Sequence, residues 1–119
     1  PGDHDNVQVL LSEIRGNQNA HGLLVMRSGE RSGERFSLTL DRVEIGRNPE
    51  CTVCLDDVTV SRRHAELRLG SDGYVMTDMG SLNGTYVNQE RVEEMLLQNG
   101  DELQVGKYRM VFFDIASNS

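Results

Sequence analysis

The chain has 119 residues and a mass of 13.3 kDa, enough for one hydrophobic core and too little for two ordinary domains. A formal charge of -7 and a pI near 4.8 argue against nucleic acid as a partner, because such binding rests on neutralised phosphates. No apolar run approaches the roughly 20 residues of a membrane span and no basic-then-apolar start resembles a signal peptide, so a cytoplasmic protein without a membrane partner is expected.

Residues 1–21 are polar and read as a flexible N-terminal tail. One apolar insert interrupts them, Val7-Gln8-Val9-Leu10-Leu11-Ser12-Glu13-Ile14, whose eight residues suit a short helix, a docking strand or a recognition segment alike. From Gly22 the apolar runs become short and regular, separated by Gly, Asn, Asp and Ser clusters, which is the spacing of an all-β sandwich or barrel. Strands are expected at 23–26, 36–40, 43–45, 52–55, 64–69, 74–78, 85–87, 102–105 and 108–113, within a total of ten or eleven and with no helix. The duplicated tetrapeptide Ser28-Gly29-Glu30-Arg31-Ser32-Gly33-Glu34-Arg35 reads as a solvated hairpin loop. In the strand at 64–69, Ala65, Leu67 and Leu69 alternate with Glu66 and Arg68, predicting one buried and one solvated face. A β-domain over 22–114 followed by a short C-terminal tail at 115–119 is the resulting organisation.

Cys51 and Cys54 have the spacing of a redox pair or of half a zinc site. A three-residue offset along a strand points two side chains to opposite faces, and no second cysteine pair exists. No metal site or cofactor is expected.

Three polar loops abut predicted strands: Gly46-Arg47-Asn48-Pro49, Thr59-Val60-Ser61-Arg62-Arg63-His64 and Gly80-Ser81-Leu82-Asn83-Gly84-Thr85. A phosphate monoester carries close to two negative charges and three acceptor oxygens, so it wants guanidinium, hydroxyl and N–H groups converging from separate loops. Arg47, Ser61 and Arg62 supply those types, and the Asn83 amide can both donate to and accept from an extended peptide backbone. Each alone has a plainer account: solvated arginines, an Asn-Gly turn, a local serine cap and a structural histidine at a strand start.

Taken together, Gly46-Arg47, Ser61-x-x-His64, Asn83-Gly84-Thr85 and the closing Asn88 resemble the forkhead-associated (FHA) domain over about 22–114. The resemblance implies an eleven-strand β-sandwich whose apical loops bind phosphothreonine peptides. By position it implies that Arg47 and Ser61 contact phosphate, that Arg62 lies beside it, and that Leu82 and Asn83 flank the peptide. Gly46, His64, Gly84, Thr85 and Asn88 are implied as structural support. The segments 55–66, 80–88 and 106–112 are also similar to small actinobacterial FHA regulators that act under serine/threonine kinases and inhibit 2-oxoglutarate dehydrogenase. That likeness implies a phosphothreonine-bearing protein or kinase, and a 2-oxoglutarate-metabolising enzyme, as partners. Those regulators carry a threonine pair in the N-terminal tail, whereas this tail has Ser12 and no threonine before Thr39, so the intramolecular switch is not implied here.

Two other readings use the same residues. A hydrolase would need Ser61, His64 and Asp56 or Asp57 as a triad, yet there is no Gly-x-Ser-x-Gly elbow. A phosphorylation-independent interaction or inhibitor domain, with the pocket as regulator, is the second. The expectation is a non-catalytic phosphothreonine-binding module.

Overall fold

A computed structural model of the chain describes residues 20–115; the tail expectations on residues 1–19 and 116–119 lie outside them. Eleven strands follow in order: β1 (Gly22–Met26), β2 (Arg35–Leu38), β3 (Arg42–Gly46), β4 (Val53–Cys54), β5 (Ala65–Gly70), β6 (Gly73–Asp78), β7 (Thr85–Val87), β8 (Glu90–Val92), β9 (Glu94–Leu96), β10 (Glu102–Val105) and β11 (Tyr108–Asp114). They make a six-stranded sheet, β2-β1-β11-β10-β7-β8, and a five-stranded sheet, β4-β3-β5-β6-β9. Pairing is antiparallel except for the short parallel pair of β3 with β4. Among the described residues no helix is long and apolar enough to cross a membrane.

Alternation along the strands builds the core, since every second side chain faces the opposite sheet. Leu24, Met26, Leu103, Met110 and Phe112 of the larger sheet meet Val43, Ile45, Leu67 and Met76 of the smaller. Tyr74 bridges the layers, its ring edge-on to Phe112 with centroids 6.1 Å apart. Its hydroxyl donates to the Leu40 carbonyl at 2.7 Å, and burial, with Asp41 nearby, pushes its pKa up to about 12.

The expected elements differ from the observed ones in five places. The second strand ends at Leu38, and Leu40 is half exposed because the chain is already crossing toward β3 in the other sheet. The fourth strand is only the Val53–Cys54 pair. The duplicated tetrapeptide contains a 3₁₀ turn at Gly29–Arg31, and Arg31 is not simply solvated: it stands 5.8 Å from the ring centres of Phe36 and Tyr108 and donates to the Cys54 carbonyl at 3.2 Å. Glu66 lies on the outer face of β5 yet is buried, because Arg42 and Arg68 close over its two oxygens at 2.7 and 2.6 Å. Burial works to raise its pKa, but the two arginines hold it below the usual value. Finally, β8 and β9 were not individually expected; a tight turn through Asn88 and Gln89, with φ of 50° and 71°, starts β8, and the chain then changes sheets into β9.

Candidate functional site

Four connections gather at one end of the sandwich: residues 47–52, 55–64, 79–84 and 106–107. Backbone hydrogen bonds zip the first two together. Arg47 N donates to the Ser61 carbonyl at 3.0 Å and Asn48 N to the Arg62 carbonyl at 3.1 Å. The close approach requires Gly46, since a Cβ there would lie 2.2 Å from the Arg62 carbonyl oxygen. Arg47 is half buried, and its Nε donates to the Val60 carbonyl at 3.1 Å, which fixes the plane of the guanidinium. Arg62 and Arg63 point into solvent beside it.

His64, with no exposed surface, ties the second connection to the third. Its Nδ1 accepts from Ser61 N at 3.0 Å and its Nε2 stands 2.8 Å from the Gly84 carbonyl. Because a backbone N–H can only donate, the proton sits on Nε2 and both ring nitrogens are engaged. The hydrolase arrangement therefore lacks its central contact: it is the Ser61 backbone N, not its hydroxyl, that meets the imidazole. Ser61 Oγ instead accepts from Leu82 N at 3.0 Å, a contact that leaves the hydroxyl its own donor capacity. Asn83 Nδ2 donates to the Thr59 carbonyl at 3.0 Å, while Leu82 stands almost fully exposed at the tip.

The third connection is organised by a residue that the sequence reading passed over. Asp78 accepts from the backbone N–H groups of Gly80 and Ser81 at 3.1 and 3.2 Å, from Ser81 Oγ, and from Thr85 Oγ1 at 2.7 Å. Burial tends to raise its pKa, and these donors outweigh that and lower it. Ser81 Oγ in turn accepts from Gly84 N at 3.0 Å, with Gly84 at φ +88°. Thr85 itself is fully buried, its hydroxyl turned onto Asp78.

Asp57, which the sequence offered only as an acid for a triad, locks the fourth connection. Asp57 accepts from Thr59 N at 2.8 Å and Thr59 Oγ1 at 2.5 Å, and forms an ion pair with Lys107 Nζ at 3.1 Å. Lys107 N donates back to Thr59 Oγ1 at 2.9 Å. The Thr59 hydroxyl and N–H, then Lys107, hold the Asp57 carboxyl at about 2. The Asp-x-Thr spacing is a local side-chain-to-backbone turn signal that could have found this pair. A concavity lined by Thr59, Asn83, Tyr86, Gln89, Gln104 and Lys107 runs on from these loops.

Asn88 is placed elsewhere, at the far end of β7, where it donates to Asp101 Oδ1 and accepts from Glu102 N, both at 3.0 Å. Cys51 and Cys54 are free thiols that back the loops, their sulfurs 3.5 and 3.7 Å from the carbonyls of Arg62 and Arg47. Among the described residues no cluster of His, Cys, Asp and Glu could hold a metal.

Comparison with known proteins gives the family of the chain. The family profile described as the FHA domain matches residues 43–106. The glycogen accumulation regulator GarA of Mycolicibacterium smegmatis is 49% identical over 102 residues, covering 86% of this chain and 65% of that protein. The oxoglutarate dehydrogenase inhibitor of Corynebacterium jeikeium is 48% identical over 101 residues, covering 85% of this chain and 70% of its own length. The chain thus spans about two thirds of the length of these curated relatives. Among solved structures, an FHA domain studied for phosphothreonine-dependent interactions superposes with a TM-score of 0.72 at 31% identity, covering 78% of this chain and 95% of that one. The FhaA FHA domain, solved in complex with the intracellular domain of Rv3910, gives 0.70 at 32% identity, covering 76% and 98%.

Proposed function

The chain belongs to the FHA domain family, and from that premise we propose that its apical loops bind phosphothreonine in a partner protein as a non-catalytic signalling module. Arg47 and Ser61 contact the phosphate, Arg62 lies beside it, and Asn83 holds the peptide backbone with Leu82 against its flank. The observation that carries the reading is the mutual locking of these groups. Arg47 is pinned by Val60, Ser61 by Leu82 and His64, and Asn83 by Thr59, so hydroxyl, guanidinium and amide sit on one hydrogen-bonded base. Preorganised donors around a doubly charged group retain most of their interaction energy because little ordering remains to be done on binding. In an acidic chain, a local cluster of this kind suits one phosphorylated side chain better than a polyanion.

The kinase substrates or kinases that present such a residue are the proposed partner class. The likeness to GarA and to the oxoglutarate dehydrogenase inhibitor supports a regulatory role toward a 2-oxoglutarate-metabolising enzyme. Screening an oriented phosphothreonine peptide library, with phosphoserine and unphosphorylated libraries alongside, tests the reading. Selective retention of phosphothreonine peptides is expected, and equal retention of all three libraries would move the function to a phosphorylation-independent surface.

A further inference from the structure

The cations of this acidic chain are not all neutralised. Arg31, Arg42, Arg68 and Lys107 are paired with carboxylates. Away from the apical arginines, Arg27, Arg91 and Arg109 are exposed, and among the described residues no carboxylate pairs with them, although the chain holds 19 acidic residues against 12 basic ones.

These three arginines lie in one row across the outer face of the larger sheet. Arg91 of β8 is in register with Tyr86 of β7, Tyr86 with Gln104 of β10, and Gln104 with Arg109 of β11. Arg27, directly after Met26 of β1, ends the row, its N–H donating to the Arg109 carbonyl at 2.8 Å. The row faces outward because the chain neighbours Thr85, Val87, Leu103, Val105, Met26 and Met110 are buried. Arg27 and Arg109 therefore stand opposite one another on adjacent strands, a like-charge pair that works against the sheet. Glu102, one row further from the apical loops, forms no ion pair with either.

The row starts where the apical loops end. Tyr86 and Gln104 line the same concavity as Asn83 and Lys107. Arg91 lies back over Gly84, so close that a Cβ there would be 2.8 Å from its Nε. A chain held at Asn83 can thus pass through the concavity onto the row without leaving the protein surface.

We propose that this row is a docking strip for an acidic segment of the same partner chain that presents the phosphothreonine. The strip rests on the phosphothreonine reading of the apical loops and adds to it a partner class: phosphorylated sites flanked by Asp and Glu. Four strand spacings of about 4.8 Å separate Arg91 from Arg27, and an extended chain rising about 3.3 Å per residue crosses them in roughly six residues. Carboxylates of such a segment meet three guanidiniums that have no competing partner, and they relieve the repulsion between Arg27 and Arg109. The half-buried Tyr86 ring and the Gln104 amide, midway along the row, give the segment an apolar surface and a hydrogen-bonding group between the charges.

Fluorescence anisotropy with labelled peptides tests the assignment. The probes are a phosphothreonine peptide with neutral flanks and the same peptide carrying a Glu-rich extension on its amino or its carboxyl side. One extension should tighten binding about tenfold, the sum of three exposed charge pairs of modest strength, and the gain should shrink as salt is added. The variant Arg27→Gln/Arg109→Gln should lose most of that gain and bind the neutral peptide within about twofold of the unaltered chain, melting no lower because a repelling pair is gone. Equal affinity for neutral and extended peptides overturns the strip and leaves the phosphothreonine reading standing, and so does a gain that the variant keeps. Binding of none of these peptides overturns the phosphothreonine reading and the strip with it. Equal peptide affinities together with binding to phosphatidylserine vesicles that the variant loses would assign the row to an anionic membrane surface instead.

Discussion

Asn83 Nδ2 donates to the Thr59 carbonyl at 3.0 Å, so the side chain proposed to hold the peptide is itself held by the connection that carries Ser61. Thr59 is in turn fixed by Asp57 and by Lys107 N. The site is therefore a set of dependent positions, and substitutions should divide into those that remove a ligand contact and those that release a contact-bearing residue.

Arg47→Ala belongs to the first kind. Removing one partner of a charge-assisted contact should lower affinity for a phosphothreonine peptide by roughly 2 kcal/mol, about thirtyfold, with the thermal midpoint little changed. Arg47→Lys should recover only part of this, because lysine has no guanidinium Nε–H to donate to the Val60 carbonyl while the rest of the head group faces the ligand. Fluorescence anisotropy with a labelled peptide reads both variants.

Thr59→Val belongs to the second kind. It keeps the shape and deletes the hydroxyl that serves Asp57 and Lys107 N, so a stability loss of about 1 kcal/mol and a severalfold weaker peptide affinity are expected. Lys107→Ala keeps the backbone N–H and removes a partly exposed ion pair with Asp57 and a cation–π contact with Tyr108, so it should change stability by less than about 1 kcal/mol. Equal effects from the two variants would contradict the assignment of Thr59 as the lock.

His64→Ala should be the most damaging single change in the apical loops. It opens a cavity and strands Ser61 N and the Gly84 carbonyl without partners, a loss of roughly 3 kcal/mol. Chemical denaturation would show the midpoint falling, while a merely catalytic histidine would leave it unmoved.

Acid should loosen the Asp57 lock in a defined window. The folded carboxyl titrates at about 2, below its ordinary value near 3.8, so the charged form is favoured by folding. The contribution is complete above the ordinary value and is lost as pH falls through about 2. The Thr59 amide resonance should follow that low midpoint, and Asp57→Asn should abolish the titration.

Gln89 occupies φ of 71° in the turn between β7 and β8, directly after Asn88 at 50°. Asn-Gly is the favoured pair in such turns, so Gln89→Gly should raise stability by about 0.5 to 1 kcal/mol. A lowered thermal midpoint would argue that the Gln89 side chain has a role at the edge of the adjoining concavity.

Much of this architecture was legible because alternation and turn residues repeat on a short scale. Leu24, Met26, Val43 and Leu67 announce their strands, and Arg47, Ser61, His64 and Asn83 announce the loops between them. What escaped has physical reasons. Residues 90–96 hold three glutamates and an arginine, so β8 and β9 lack the apolar alternation that marks a strand. Glu66 reads as solvated until Arg42, 24 residues earlier, is folded over it. The bond from Lys107 N to Thr59 spans 48 residues, and no local pattern reports it. Asp78 is a strand-ending acid in sequence and a four-donor hub in space.

Val58 and Leu82 are 94% and 86% exposed, two bare aliphatic side chains on connections whose roots are hydrogen-bonded throughout. Tips that touch nothing can be varied without disturbing the base beneath them. The domain is accordingly a ready frame for laboratory selection: libraries confined to these two positions should yield phosphopeptide readers of altered sequence preference that fold as well as the parent.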